Sequence, residues 1–206
     1  MKNLIFILLF LPGLVVGQEA DLTGYGVDTS FAVPKGLEVG TAAPNFSVND
    51  VNGNLLVLDE LQKEGPVVLL FYRGKWCPVC SKYLNNFNDS IQLLTDRGAR
   101  VIAVGPEKEE YSQKMKKKTK SDFSFVADTS LQILLSYDVL FNVTKKYRNM
   151  IKTYLLTDIA ENNGKETAMI PVPATYVINK EGTIVYKQFD YDYKNRASVK
   201  SILEHL

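Results

Sequence analysis

The chain has 206 residues, enough for one domain with a substantial hydrophobic core. Hydrophobic residues make up 46% and charged residues 23% of it, a composition that excludes an intrinsically disordered protein. The formal net charge of +1 gives no reason to expect a nucleic-acid partner. The lysine-rich segment 114–120 fits the solvated face of a helix better than a binding patch.

Residues 1–17 are expected to form a cleaved secretory signal peptide. Lys2 provides a basic start, and the apolar stretch from Leu4 to Val16 is too short to span a bilayer comfortably. Gly17 is a permissive residue for cleavage before Gln18. We therefore expect a secreted or periplasmic protein that works in an oxidising compartment and has no membrane attachment after cleavage.

Polar residues 18–35 predict an extended N-terminal arm, and residues 36–206 predict a single domain. Alternating apolar and polar residues at 43–49, the turn residues Asn52-Gly53 and a second strand at 55–58 predict a β-hairpin. One helical turn is predicted to follow before Gly65-Pro66. The apolar residues 67–72 then predict a buried central strand.

The rest of the chain alternates between predicted strands and helices. The predicted elements are a helix at 82–97, a strand at 101–104, a helix at 107–118, a strand at 123–126, a helix capped by Asp128-Thr129, a hairpin of strands 174–179 and 183–189, and a closing helix at 197–205. Residues 141–169 are interpreted as an insertion that packs near the functional site. This order predicts an α/β fold in which a central mixed sheet carries helices on both faces.

The segment 71–83 reads FYRGKWCPVCSKY and contains Cys77 and Cys80, the only two cysteines of the chain. It lies where the buried strand ends and a helix is predicted to begin. The free N–H groups and the dipole of a helix N-terminus favour a thiolate, and Pro78 suits the first helical position. Arg73 and Lys75 add positive charge, so we expect the pKa of Cys77 to be lowered.

The two cysteines are one helical turn apart, close enough for a disulfide that forms and breaks. A structural zinc site would need four ligands, and the only histidine is His205, near the C-terminus. A purely structural disulfide would close a very short loop and stabilise the protein little. The sequence therefore predicts a redox-active pair, with no metal and no cofactor.

A Cys-x-x-Cys motif after a central strand, with a proline before a late strand at 170–176, resembles the thioredoxin fold. Within that fold the chain resembles the peroxiredoxin-like branch of the AhpC/TSA (alkyl hydroperoxide reductase/thiol-specific antioxidant) family. The resemblance rests on APNF at 43–46, RGKWCPVC at 73–80 and DYKNR at 192–196. It implies a thioredoxin-like domain over residues 36–206. It also implies that Pro173 follows a cis peptide bond and packs against the cysteine pair.

The chain departs from two known patterns. Peroxiredoxins carry PxxxTxxC, in which Cys80 would be peroxidatic, Cys77 replaces the threonine and Arg73 replaces the proline. Their late-strand arginine falls at about Pro173. The buried acid of thioredoxin falls at Phe71, which removes a proton acceptor for Cys80.

The resemblance and the motif together predict a secreted thiol–disulfide oxidoreductase of the antioxidant type. Cys77 would attack, Cys80 would resolve the mixed disulfide, and Trp76 and Pro173 would form an apolar lip for an extended substrate segment. The expected partners are a protein or small-molecule disulfide or hydroperoxide, and a thiol reductant. One alternative is a peroxidase with Cys80 peroxidatic and Cys77 resolving. Another is a non-enzymatic metallochaperone or cytochrome-maturation partner, which would need a well-placed histidine.

Overall fold

A computed structural model describes residues 21–206 of the protein. The predicted signal peptide at 1–17 lies outside the described residues. A 3-10 helix, Leu22–Tyr25, comes first. The remaining elements are, in chain order, β1 (Ser47–Asn49), β2 (Leu55–Val57), α1 (Leu58–Glu64), β3 (Val67–Phe71), α2 (Pro78–Asn88), α3 (Ile91–Thr95), β4 (Arg100–Gly105), α4 (Glu109–Thr119), β5 (Ser124–Ala127), α5 (Gln132–Ser136), β6 (Leu140–Asn142), α6 (Lys145–Leu155), α7 (Ile159–Asn163), β7 (Met169–Pro171), β8 (Ala174–Ile178), β9 (Ile184–Phe189) and α8 (Val199–Leu203).

The central sheet has five strands in the order β5-β4-β3-β8-β9. Strand β4 pairs in parallel with both β3 and β5, whereas β8 pairs antiparallel with both β3 and β9. Two parallel and two antiparallel pairings make the sheet mixed, and the predicted final hairpin is formed by β8 and β9. The α/β fold class predicted from the order of elements is therefore confirmed.

Strand β3 lies at the centre of the sheet and is fully buried. Its side chains alternate between two cores, because successive residues of a strand point to opposite faces. Leu69 and Phe71 pack with residues of α1 and α5 on one face. Leu70 and Tyr72 pack with residues of α2, α4 and α8 on the other. The helices therefore cover both faces of the sheet, as predicted.

The N-terminal hairpin is also confirmed. Strands β1 and β2 pair antiparallel, with Ser47 opposite Val57. The turn between them places Gly53 at a φ of +85°, a conformation that glycine adopts without strain. The Asp50 carboxylate accepts the N–H groups of Asn52 and Asn54, each at 2.9 Å, and so fixes the turn.

The insertion at 141–169 forms a third hydrophobic cluster together with the N-terminal arm. Strands β6 and β7 pair antiparallel, and α6 and α7 lie between them in the chain. Val27 of the arm is completely buried in this cluster and pairs with Val143 through an isolated bridge. The prediction of an extended arm is wrong for residues 22–25, which form the short 3-10 helix, and the buried Val27 anchors the arm to the insertion.

The predicted helix at 82–97 is wrong as a single element, because the chain turns between α2 and α3. The residues before the turn include Asn85, Asn88 and Asp89, whose side chains compete with the helix for backbone hydrogen bonds. The Asn88 side chain instead bonds the backbone beyond α4, where its Oδ1 accepts the N–H of Asp122 at 2.8 Å. Across residues 21–206, no helix has the length and apolar character needed to cross a bilayer.

Candidate active site

The cysteine motif lies at the predicted junction between strand and helix. Strand β3 ends at Phe71, a loop follows, and Cys77 is the N-cap residue of α2. Pro78 occupies the first turn of the helix, where its missing N–H leaves no partner unsatisfied. The Cys77 Sγ accepts the backbone N–H of Cys80 at 3.2 Å. The sequence predicted this arrangement correctly.

Both sulfurs are buried, but they differ in what lies next to them. Cys77 is 2% exposed and forms part of the wall of an open cavity of about 350 Å³. Cys80 is completely buried one turn further along α2 and does not line that cavity. A molecule that enters the cavity therefore meets the sulfur of Cys77 first.

Arg73 is the buried cation of the site. Its guanidinium lies over three aromatic rings, with its Cζ 4.2 Å from the Tyr193 ring centroid, 5.0 Å from that of Trp76 and 5.3 Å from that of Tyr147. It also donates a hydrogen bond to the Tyr147 hydroxyl. Burial alone would lower the pKa of Arg73, but Cys77, Tyr147 and Cys80 act in the opposite direction and raise it. Arg73 therefore stays charged beside the two sulfurs.

The pKa of Cys77 is shifted in the direction opposite to the sequence-based expectation, and it is the pKa of Cys80 that is lowered. The hydrogen bond with Cys80 and burial raise the pKa of Cys77 well above its ordinary value. Burial also acts to raise the pKa of Cys80, but the hydrogen bond from Cys77 and the charges of Arg196 and Arg73 outweigh it and lower that pKa to about 6. The expected lowering of the Cys77 pKa is therefore wrong. Burial and the neighbouring Cys80 thus act against a thiolate on Cys77, whereas Arg196 and Arg73 favour one on Cys80.

Two charged residues of the site were not predicted as site residues. Arg196 lies in the segment DYKNR, contacts the Tyr83 ring at 4.3 Å and donates to the Phe71 carbonyl at 3.3 Å. Glu107 follows β4 and is completely buried. Its position is a signal that could have been used, because the carboxyl ends of neighbouring parallel strands meet at one edge of a sheet.

Glu107 is held beneath the cysteine loop. Its carboxylate accepts the backbone N–H of Lys75 at 2.5 Å and the Asn162 side-chain amide at 3.2 Å. Gly74 permits this approach, since a Cβ there would lie 2.9 Å from the Glu107 carboxyl carbon. Burial raises the pKa of Glu107 to about 7. Lys75 thus contributes through its main chain, whereas Arg73 and Arg196 supply the charge at Cys80.

Pro173 directly precedes β8, and its contact with the cysteine pair stays a prediction, but the peptide bond before it does not have the predicted conformation. Continuing the register in which Leu70 faces Thr175 sets Pro173 opposite Tyr72, at the end of β3 from which the cysteine loop leaves. Within residues 21–206 no peptide bond is cis, so the expected cis bond before Pro173 is wrong. The chain runs extended from β7 into β8, with the Val172 N–H donating to the Val139 carbonyl at 2.8 Å, and an extended residue before a trans proline suits this path.

Of the two residues expected to form an apolar lip beside Cys77, only one lines the cavity. Trp76 lines the cavity, as predicted, but Pro173 does not. The cavity is also lined by α6, through residues that include Tyr147, Met150 and Leu155. The insertion therefore packs against the site, as the sequence suggested, although no motif in it indicated which residues would do so.

No group of three or more histidine, cysteine or acidic side chains that could hold a metal ion is found within residues 21–206. The polar groups around the sulfurs are two guanidinium groups, one carboxyl and tyrosine hydroxyls. These groups can hold a thiolate and move protons, which is the chemistry of thiol exchange.

Comparison with known proteins identifies the family. Residues 39–187 match the AhpC/TSA family. The chain belongs to the AhpC/TSA family. The thiol-disulfide oxidoreductase ResA of Bacillus cereus is 26% identical over 155 residues, which cover 75% of this chain and 72% of ResA. The chloroplastic peroxiredoxin Q of Oryza sativa subsp. japonica is 26% identical over 147 residues, covering 71% of this chain and 57% of that protein.

Solved structures confirm the thioredoxin-like fold. The peroxidoxin BcpB of Mycobacterium tuberculosis superposes with a TM-score of 0.62 at 18% identity, covering 82% of this chain and 96% of BcpB. The C47S mutant of Xylella fastidiosa PrxQ gives a TM-score of 0.63 at 15% identity, covering 82% of this chain and 95% of that one. The AhpC/TSA protein described here is thus an oxidoreductase with a redox thiol function.

Proposed function

We propose that the protein is a thiol–disulfide oxidoreductase in which Cys77 attacks the substrate and Cys80 resolves the mixed disulfide. The observation that supports this assignment is the position of the sulfurs, because Cys77 lines an open cavity and Cys80 is completely buried behind it. A bulky disulfide can reach only the first of these sulfurs. The similarity to ResA, named a thiol-disulfide oxidoreductase, supports the same reaction.

The reaction starts from a pair that holds one proton. The proton moves from Cys77 to Cys80, and the Cys77 thiolate attacks one sulfur of the substrate disulfide. That disulfide breaks, a bond forms between Cys77 and the substrate, and the departing thiolate takes the proton from Cys80. The Cys80 thiolate then attacks Cys77 and displaces the second substrate thiolate. The pair loses two electrons and becomes a disulfide, while the substrate gains two.

Arg73 and Arg196 stabilise negative charge during the proposed reaction. The negative charge moves between two buried sulfurs, and burial disfavours charge at either of them. Arg73 acts on both sulfurs, and Arg196 acts on Cys80. The guanidinium groups therefore stabilise the charge wherever it lies during the exchange.

Trapping of the mixed disulfide tests the assignment. Cys80→Ser should accumulate adducts with a disulfide-containing peptide because the resolving thiol is missing, and Cys77→Ser should form none. Non-reducing electrophoresis and mass spectrometry would locate the adduct. Adducts on Cys80 in the Cys77→Ser variant would overturn the proposed order of attack.

A second candidate function is a thiol peroxidase in which Cys80 reduces the peroxide and Cys77 resolves. The favoured thiolate on Cys80, with a pKa of about 6, supports it, as does the similarity to peroxiredoxin Q. Complete burial of Cys80 opposes it for all but the smallest peroxides. Stopped-flow oxidation of the reduced protein by hydrogen peroxide and, separately, by a peptide disulfide would rank the two reactions.

We also propose that the protein acts outside the cytosol, after removal of residues 1–17. The apolar stretch Leu4–Val16 behind Lys2 supports this proposal. An oxidising compartment would regenerate the Cys77–Cys80 disulfide or require a dedicated thiol reductant to reduce it. N-terminal sequencing of protein recovered from the source's exported fraction should begin at Gln18.

A further inference from the structure

We propose that Tyr83 is a positioning residue of the redox pair, which acts by holding the Arg196 guanidinium in the place from which its charge reaches Cys80. The role rests on the proposed function, in which Cys80 carries negative charge during the exchange. It adds to that function a residue that touches neither substrate nor sulfur and still controls how readily Cys80 ionises.

Arg196 lies in a part of the chain that secondary structure does not fix. Residues 190–198 connect β9 to α8 and belong to neither element. An arginine side chain has several rotatable bonds, and ordering it costs conformational entropy. The position of the Arg196 charge therefore depends on side chains of other elements that contact this connection.

Tyr83 of α2 contacts the connection at two points. Its hydroxyl donates to the Ala197 carbonyl at 3.0 Å, and its ring centroid lies 4.3 Å from the Arg196 Cζ. The hydrogen bond holds the main chain next to Arg196, and the cation–π contact holds the guanidinium itself. Burial raises the pKa of Tyr83, so its hydroxyl keeps its proton and remains a donor while Cys80 titrates.

The same side of α2 carries Cys80. Tyr83 and Cys80 are three residues apart on the helix, which makes their side chains neighbours. Cys80 and Ala197 are buried in the same hydrophobic core. Arg196 also donates to the carbonyl of Phe71, the last residue of β3, at 3.3 Å. The guanidinium therefore bridges the end of β3 and the side of α2 that carries the sulfur.

Hydrogen bonds and ion pairs do not account for an arginine at this position. Across residues 21–206, no carboxylate forms an ion pair with Arg196, and its Nη1 is buried without a hydrogen-bond partner. Buried N–H donors are normally paired, so one that is not needs another explanation. The charge of Arg196, which is not neutralised by a carboxylate and lowers the pKa of Cys80, provides it.

Other charged or titratable groups also interact with Cys80. They are Cys77 and Arg73 at the start of the motif, Tyr72 at the end of β3 and Glu107 after β4. In the part of the chain that the structure describes, none of these shares a hydrogen bond or a ring contact with Tyr83, whose ring packs on Phe87 instead. An effect of Tyr83 on Cys80 can therefore be assigned to Arg196.

The thiolate absorbance of Cys80, followed against pH, tests this role without any substrate. Every protein carries Cys77→Ser, so that Cys80 is the only thiol, and the profile of Cys77→Ser/Cys80→Ser is subtracted to remove the absorbance of tyrosine. Tyr83→Leu removes both contacts with the connection and should raise the midpoint of Cys80 ionisation by about one pH unit. Tyr83→Phe keeps the ring and should raise it by roughly half as much.

Arg196→Gln shows whether Tyr83 acts through the guanidinium. This substitution should raise the midpoint at least as far as Tyr83→Leu does. Adding Tyr83→Leu to Arg196→Gln should give no further rise, because the group that Tyr83 positions is already missing. Tyr186→Leu is the matched control, since Tyr186 packs against the same core but bonds Ser201, and it should leave the midpoint unchanged.

An unchanged midpoint in both Tyr83 variants, an equal rise in Tyr186→Leu, or a rise that adds in full to that of Arg196→Gln would overturn the proposal. Tyr83→Phe, which loses a single oxygen, keeps the test decisive if Tyr83→Leu does not fold. The titration contains no disulfide, so it is independent of the order of attack. Adducts on Cys80 in the trapping experiment would contradict the proposed function and leave the role of Tyr83 intact.

Discussion

At the scale of single residues, Glu107 is a buried carboxyl whose hydrogen bonds come from a backbone N–H and an amide. Burial raises its pKa from 4.5 to about 7. A carboxyl with a raised pKa binds its proton more tightly in the folded protein than in the unfolded chain. Its contribution to the free energy of unfolding is therefore present below about pH 4.5 and is lost as the pH rises through about 7.

Glu107→Gln should remove this loss, because glutamine does not titrate and its side-chain oxygen can still accept the Lys75 N–H. Between pH 5 and pH 8, the free energy of unfolding of the wild type should fall by about 3 kcal/mol relative to that of the variant. Urea unfolding of both reduced proteins at the two pH values would measure this difference. Glu181→Gln, at an exposed position, should follow the wild type. Parallel pH profiles of wild type and Glu107→Gln would show that Glu107 is already ionised at pH 5.

Arg73 links the cysteines to the insertion through aromatic contacts. Its guanidinium stacks on Trp76 of the cysteine loop, on Tyr147 of α6 and on Tyr193 near the C-terminus. Three distant segments therefore meet at a single cation. The position of Tyr147, and with it the polar environment of both sulfurs, depends on how α6 begins.

At the scale of elements, α6 is fixed at its first turn by Thr144. The Thr144 side chain accepts the backbone N–H of Tyr147 at 3.2 Å. Helix α8 begins in the same way, with the Ser198 side chain accepting the N–H of Ser201 at 3.0 Å. The two caps are chemically alike, but only that of α6 holds a residue that touches Arg73.

Thr144→Ala and Ser198→Ala should each lower the free energy of unfolding by about 1 kcal/mol, the usual loss when an N-cap is removed. Only Thr144→Ala should also change the emission of Trp76 in the folded protein, because Tyr147 and Trp76 stack on the same guanidinium. Denaturant unfolding followed by fluorescence gives both quantities in one experiment. A Trp76 emission that changes equally in the two variants would mean that α6 does not position the site.

The sequence predicted the elements that a local pattern specifies. The strand before the cysteines, the helix N-terminus at Cys77 and the hairpin at Asn52-Gly53 each follow from hydrophobic runs, capping and turn residues, and the structure has all three. The break between α2 and α3 was missed, because the helical repeat of apolar residues continues across it. There the Asn88 side chain bonds the backbone of Lys120 and Asp122, which local sequence does not reveal.

Only the part of the candidate site that lies in the cysteine motif could be predicted from the sequence. The positions of Cys77, Cys80, Trp76 and Arg73 follow from one motif. Arg196 and Tyr147 reach the site from other parts of the chain, and nothing in their local sequence shows which side chains they will meet. The sense of the thiol pKa shifts was wrong for the same reason, since it depends on Arg196 and on burial of both sulfurs.

At the scale of the whole molecule, the site lies at the end of the strand where the parallel part of the sheet meets the antiparallel part. Strand β3 is flanked by parallel β4 on one side and antiparallel β8 on the other, and the cysteine loop leaves from its end. Glu107 arrives from β4 and Pro173 precedes β8. The redox pair is therefore embedded in the core, so that a change in its charge acts on the stability of the entire fold.

The reduced protein should become more stable relative to the oxidised protein as the pH rises from 6 to 8. The pKa of Cys80 is lowered from 9.0 to about 6. A lowered pKa contributes stability that is fully present above the unfolded value and is lost as the pH falls through the folded value. The folded reduced protein holds about half a proton fewer on its cysteines than the unfolded chain at pH 6 and about one fewer near pH 8, so the gain approaches about 1.4 kcal/mol per pH unit.

Urea unfolding of both redox forms at pH 6 and pH 8 would measure this linkage, and the disulfide form supplies the reference because it has no thiol to titrate. The difference between the two forms should move by about 2 kcal/mol in favour of the reduced protein. Repeating the comparison in Glu107→Gln removes the titration of the Glu107 carboxyl and leaves that of the cysteine pair. The double variant Cys77→Ser/Cys80→Ser, treated with the same reductant and oxidant, should show no such change. A difference that stays constant with pH in the wild type would mean that neither sulfur is a thiolate at neutral pH, and that the charges of Arg73 and Arg196 do not overcome burial.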